Sequence, residues 1–337
     1  MTATLDADPH LAAWPAAPPS RHPGPVHPSR IFRTLVSAAL LAAGLVAEPG
    51  FALALVGLFV LVVPFERLAP RHRQPLRRAA LGTDLAWAVS APALAVVGGT
   101  AAAVIGVLSV AWLPGLALRP LVTALPPTAH LVAAVLLFEL AGYWAHRLAH
   151  EVPFLWRFHA IHHSTRHLDW VSGLRVHPLD GVLVAPPFAF LLGAGVSPEV
   201  SGALAAVQLV VGIFLHANVR WRLRPLQPVV ATPEFHHWHH ADEPEAHHTN
   251  YGGFLPLWDL VFGTYRVPAD RRPTRYGVSE PVPDDFVGQL RHPVRGLPGP
   301  GVVLRHPVRT ACRLVAATRR GLDQSWQAAT RPTHRAR

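Results

Sequence analysis

Apolar positions along this chain come in long unbroken runs, not in alternation or single helical stripes, and such continuity predicts helices in an apolar medium. Runs at about 33–47 and 51–65 are split by Glu48, Pro49 and Gly50, where proline and glycine favour a hairpin over one straight helix. A third run covers about 85–112 and a fourth about 129–145, joined by a loop whose only charge is Arg119. A further stretch, about 181–215, is interrupted from Gly195 to Glu199, which predicts a second hairpin. A helical crossing of the hydrocarbon core takes about 20 apolar residues. The expected fold is therefore an all-α integral membrane bundle, with about four crossings or two hairpins plus a re-entrant hairpin, carrying a histidine-rich helical cap.

Polar positions orient the bundle. Five arginines fall between Arg67 and Arg78, the segment before residue 33 is also basic, and the turns on the opposite side are not. By the excess of Lys and Arg on cytoplasmic loops, the basic side faces the cytoplasm. The fourth run then descends to the cytoplasm with His146, and "FLHANVRWRLR" returns to the same side. The expected location is the cell membrane with all histidine boxes on its cytoplasmic face. Residues 1–30, rich in Pro and Ala, read as a disordered arm without the apolar core of a signal peptide. Residues 31–285 form the membrane-embedded domain and 286–337 a basic tail in which "RHPVR" occurs twice, at Arg291 and Arg305.

Composition agrees and narrows the chemistry. Half of the 337 residues are hydrophobic, 15% are charged and the net charge is +10. No zinc finger or aromatic-interleaved basic sheet accompanies that charge, so no nucleic-acid partner is expected. A single cysteine, Cys312, excludes an internal disulfide and a cysteine-based zinc or iron–sulfur site. Metal chemistry must come from histidine and carboxylate.

Of 22 histidines, eleven lie in the windows 146–163 and 236–248. His146 and His150 are four apart, so their rings share one helical face. "HAIHH" sets His159 three and four residues from His162 and His163, and "HHWHH" repeats this spacing with His236, His239 and His240. Adjacent helical positions point about 100° apart, so each triplet can offer rings to two different ions. Eight imidazoles are more than one ion uses, which argues for a pair of metals. A metal transporter would instead place its ligands near mid-bilayer, and a binuclear hydrolase would mix carboxylates into the ligand set.

In order, spacing and flanking residues, "HRLAH", "LWRFHAIHHS", "TPEFHHWHH", "NYGG" and "LWDLVFGTY" resemble the sterol desaturase and fatty acid hydroxylase superfamily of membrane di-iron enzymes, over about 136–266. "HRLAHEV" is especially similar to its alkylglycerol monooxygenase branch. The resemblance implies a non-haem di-iron monooxygenase or desaturase that uses O2 to hydroxylate or desaturate a lipid of sterol, fatty acyl or ether-lipid class. Its two Fe ions would be held by His146, His150, His159, His162, His163, His236, His239 and His240, with His216 as a further ligand. Some hydroxylases of the family carry another histidine four residues later, where this chain has Arg220, leaving His177, His248 or Asn218 for a tenth ligand. Glu151, beside His150, is the candidate catalytic residue. Glu139, Asp180 and Asp259 are candidates to brace ligand imidazoles, while His237 is expected to point away. No G-x-G-x-x-G opens a helix, so electrons are expected from a separate ferredoxin or cytochrome b5 type protein with its reductase.

Overall fold

The computed structural model describes residues 35–40, 42, 43, 49–75, 77–108, 110–180, 185–297 and 305. The N-terminal arm, Glu48 of the first hairpin, Cys312 and nearly all of the repeat at Arg305 lie outside the described residues. Ten α-helices follow in order from residue 49: α1 Pro49–Leu68, α2 Leu81–Leu108, α3 Trp112–Thr123, α4 Pro127–Glu151, α5 Pro153–His163, α6 Ala185–Gly193, α7 Pro198–His216, α8 Pro233–His239, α9 Leu257–Phe262 and α10 Phe286–Arg291. Among the described residues, extended pairing is limited to two isolated bridges, Pro70 with Val219 and Ala241 with Tyr276.

Among the described residues, three helices, α2, α4 and α7, are long and apolar enough to cross a membrane. At 1.5 Å per residue they reach roughly 42, 37 and 28 Å, against about 30 Å of hydrocarbon. Their outer faces are apolar, with Val96 69%, Leu131 51% and Val210 58% exposed, as a lipid-facing surface requires. α1 adds Leu53 at 74% to this surface and packs Leu55, Leu58 and Val62 on Ala88, Trp170 and Ile213.

The arginine-bearing connection expected to be a loop is instead the helix α3. Pro114 and Pro120 resemble breakers, but Pro114 lies in the first turn, where backbone N–H groups have no intrahelical acceptor anyway. Neither α3 nor α6 is long enough to span, at roughly 18 and 14 Å, and they pack against each other. A Cβ on Gly193 would stand 2.5 Å from the Trp112 carbonyl oxygen, so only glycine permits the approach. Val122, Phe138, Leu191 and Leu204 join these short helices to α4 and α7 in one core. The hairpin expected at residues 195–199 is present: Ser197 Oγ caps α7 by accepting from Val200 N at 3.3 Å, and Pro198 takes the first helical position. α4 continues past residue 145 through the first histidine box, because the polar side chains there are buried by the cap and not by lipid.

Candidate metal centre

Three helix ends and one short helix supply the histidines. α4 carries His146 and His150 and stops at Val152, which is extended (φ −97°, ψ 112°) ahead of Pro153. Proline has no N–H with which to continue α4 but suits the first position of α5, so the chain turns and brings His159, His162 and His163 back toward α4. α8 is started by Thr232, whose Oγ1 accepts from Phe235 N at 3.3 Å, and by Pro233. His216 closes α7, and its ring lies against Gly173, where a Cβ would be 2.9 Å from the imidazole.

All nine histidines singled out from the sequence meet in two groups. His146, His150, His159, His163 and His239 form one, and His162, His216, His236 and His240 the other; within each, one nitrogen per ring lies within 4.8 Å of all the rest. The helical pair His159 and His163 goes to the first group and His162 to the second. α8 reverses this, sending His236 and His240 to the second and His239 to the first. Each triplet is thus divided between groups, as its spacing predicts.

The ring orientations are those of metal ligands. Nδ1–H of His146 donates to the Tyr251 carbonyl at 2.8 Å, that of His239 to the Thr249 carbonyl at 2.8 Å and that of His159 to Asp180 Oδ2 at 2.9 Å. In the second group, His162 donates to the Arg175 carbonyl at 3.2 Å and His216 to the Gly212 carbonyl at 2.6 Å. A neutral ring that donates from Nδ1 carries a bare lone pair on Nε2. His216 Nε2 nevertheless stands 3.1 Å from His162 Nε2, and two lone pairs cannot hydrogen-bond to each other. Nitrogens about 2.1 Å from one shared ion would be roughly 3.0–3.4 Å apart, which is the spacing found. In the first group, Nε2 of His150, His163 and His239 is buried with no hydrogen-bond partner. The residues present therefore fit two metal ions. For His162, His163, His236, His239 and His240, burial first and neighbouring imidazoles next push the pKa well below the usual range. These rings are neutral, the form that binds metal.

The remaining candidates separate. Asp180 braces an imidazole as expected. Asp259 does not: it accepts from the amides of Tyr251 and Gly252, each at 2.7 Å, and from Thr264 Oγ1, so it fixes the loop whose Tyr251 carbonyl holds His146. Nor does Glu139, whose Oε2 accepts from the amides of Phe254 and Leu255 at 3.0 and 2.7 Å and ties that same loop to α4. Asn250 clamps α8 by donating to the Phe235 carbonyl at 2.9 Å. The carboxylates hold backbone because the amides of Tyr251, Gly252, Phe254 and Leu255 need acceptors inside the cap. Glu151 pairs with Arg147 at 2.8 Å on the half-exposed side of α4. His177 and His248 are not members of either group, and Asn218 exchanges hydrogen bonds with the His72 backbone. His237 points away, to Tyr276 and the Ala217 carbonyl. The carbonyls of Arg175, Thr249 and Tyr251 have no side-chain signature, so the sequence could not announce them.

Residues 131–264 match the fatty acid hydroxylase family. An ornithine lipid hydroxylase of Rhizobium tropici is 36% identical over 171 residues, 50% of this chain and 51% of that protein. Human alkylglycerol monooxygenase is 31% identical over 150 residues, 44% of this chain and 33% of that protein. A Delta(7)-sterol-C5(6)-desaturase of Nicotiana tabacum is 28% identical over 141 residues, 40% and 49% respectively. The chain thus spans about half the length of the first and third of these and a third of the second. No solved structure matches it. All nine histidines of the two groups lie inside the segment 131–264, and it is this segment that is similar to the fatty acid hydroxylase family.

Proposed function

We propose that this protein is an O2-dependent di-iron oxidoreductase that hydroxylates or desaturates a membrane lipid, with its metal centre on the cytoplasmic side. The observation that carries it is the pair of buried all-histidine groups at the cap end of helices that can span a bilayer. Bound iron would supply the oxidant that an unactivated C–H bond requires. His146, His150, His159, His163 and His239 would hold one ion and His162, His216, His236 and His240 the other. The chain's own contribution is to hold five of those rings, His146, His159, His162, His216 and His239, in one tautomer through Asp180 and the carbonyls of Arg175, Thr249, Tyr251 and Gly212. The first group contains the only two half-buried rings of the nine, His146 and His150, both on α4. A lipid chain that follows α4 out of the bilayer meets this group first, whereas the second group is sealed from solvent.

The relatives are named for ornithine lipid, alkylglycerol and sterol substrates, and the shared chemistry is oxidation of a C–H bond in an amphiphile. Lipids extracted from a host with and without the gene are expected to differ by a species one oxygen heavier or two hydrogens lighter. An unchanged lipid profile together with a metal-loaded protein would count against a lipid substrate. The orientation has its own test. A cysteine introduced at Thr249, beside His248 on the cap, is expected to resist a membrane-impermeant thiol reagent added to intact cells and to react after lysis. Labelling from outside would reverse the topology.

A further inference from the structure

Two hollows open side by side on the cap. One, of about 510 Å³, lies between the end of α1 and residues 218–220, and exposed Arg67, Arg73 and Arg220 line it. Glu66 is the sole carboxylate among its lining residues, and Oε1 of Glu66 already accepts the amides of Trp170 and Asn218. The other, of about 530 Å³, is lined by Arg71, Arg271, Arg272 and Arg275. The acids there are engaged: Glu243 takes the amide and hydroxyl of Thr274, and Glu245 pairs with Arg271. Positive charge that lines concave surface in this way attracts and orients an acidic partner.

His72 borders both hollows, and a hydrogen-bonded chain leads inward from it. His237 Nε2–H donates to the Ala217 carbonyl at 3.1 Å, so its Nδ1 accepts. Tyr276 Oη–H donates to that Nδ1 at 2.7 Å, and the Tyr276 oxygen accepts from His72 Nε2–H at 3.0 Å. Tyr276 and His237 are buried at 4% and 0% exposure. The inner end abuts the second metal group twice, through the peptide bond of His237 to His236 and through Ala217, which follows His216. No other use of a fully buried His237 appears in the proposed chemistry.

Building on the di-iron reading above, we propose that this arginine-lined face docks a small acidic one-electron carrier protein, and that His72, Tyr276 and His237 form the contact path from its cofactor to the four-histidine group. In each transfer the reduced carrier loses one electron and one ferric ion gains it; no bond is made or broken. Hydrogen-bonded contacts conduct electrons better than equal spans of van der Waals gap, which gives this path its advantage.

The test uses full-length, iron-loaded protein in detergent and an acidic [2Fe–2S] ferredoxin as probe. Wild-type protein is expected to bind the ferredoxin with an affinity that falls as salt rises. Arg73→Glu with Arg220→Glu should weaken binding about tenfold at low salt and flatten that dependence. Binding requires no turnover, so it is read independently of catalysis. Tyr276→Phe should leave ferredoxin affinity intact and slow iron reduction by ferredoxin, while reduction by dithionite keeps the wild-type rate. Absence of ferredoxin binding to wild type, or an affinity unchanged by the double reversal, overturns the docking face and leaves these arginines to the lipid leaflet. Equal ferredoxin-driven reduction in Tyr276→Phe overturns the path. If dithionite produces no ferrous signal even in wild type, the di-iron reading itself has failed, an outcome distinct from either.

Discussion

Alanine at His162 or at His239 is expected to strip metal from the purified protein and abolish turnover. The two variants test the groups separately. His162 belongs to the second group and His239 to the first, yet each lies on a helix that also serves the other group. Removing one imidazole from a four-ligand set deletes a bond and leaves a void beside the Nε2 atoms of His216, His236 and His240, which stand 3.1–3.2 Å from one another. Three imidazoles no longer close around an ion as four do. His162→Ala should therefore lower metal content from two ions per chain to about one or fewer, read by elemental analysis on the samples used for activity. Asp180→Asn removes only the anionic acceptor behind His159 and should weaken metal binding by roughly 10–100-fold without abolishing it. Glu151→Gln should retain both ions and lower turnover, because its carboxylate contacts Arg147 and no ring of either group. Full metal content and activity in His162→Ala or His239→Ala would sink the site assignment and the function built on it.

How far these elements could be read in advance follows from what generates each signal. The second hairpin and the long helices α2, α4 and α7 are carried by runs of apolar side chains, and hydropathy reports those directly. The sharing of each triplet between two groups is equally legible, because helical spacing alone decides where successive rings point. α3 was not legible. Its prolines imitate a loop, and only the close approach of Gly193 to Trp112 supplies the partner that makes a twelve-residue helix worth forming. The roles of Glu139 and Asp259 were hidden for a related reason. An acid near a histidine box reads as a brace for imidazole, but here the greater demand comes from the amides of Tyr251, Gly252, Phe254 and Leu255, whose loop conformation gives them no partners of their own. Of the three candidates for a tenth ligand, His177 is held by the Leu290 carbonyl and Asn218 by the His72 backbone, contacts that no spacing of residues along the chain announces.

Asp84→Ala is expected to be the most damaging substitution outside the histidines, though Asp84 touches none of them. It is fully buried at the start of α2. Its Oδ2 pairs with Arg78 at 2.7 Å and its Oδ1 accepts from Arg175 Nε at 2.6 Å. Arg78 has a second carboxylate in Asp169, at 2.6 and 2.7 Å, but among the described contacts Arg175 keeps only the Ser164 hydroxyl at 2.9 Å. The variant therefore leaves a guanidinium 2% exposed and without its anion, which costs about 3–5 kcal/mol. The consequence reaches the metal because the Arg175 carbonyl is what holds the His162 ring in its tautomer. Thermal unfolding in detergent should occur well below wild type, and the remaining folded protein should lose metal first from the second group. A double variant, Asp84→Leu with Arg175→Met, removes both charges and fills the space with apolar side chains, while the main-chain carbonyl of residue 175 stays in place. It should be less destabilised than Asp84→Ala and should recover metal, since an ion pair replaced as a unit costs little compared with one broken in half. A melting temperature in Asp84→Ala equal to wild type, or a double variant worse than the single one, would show that the pair does not support the ring.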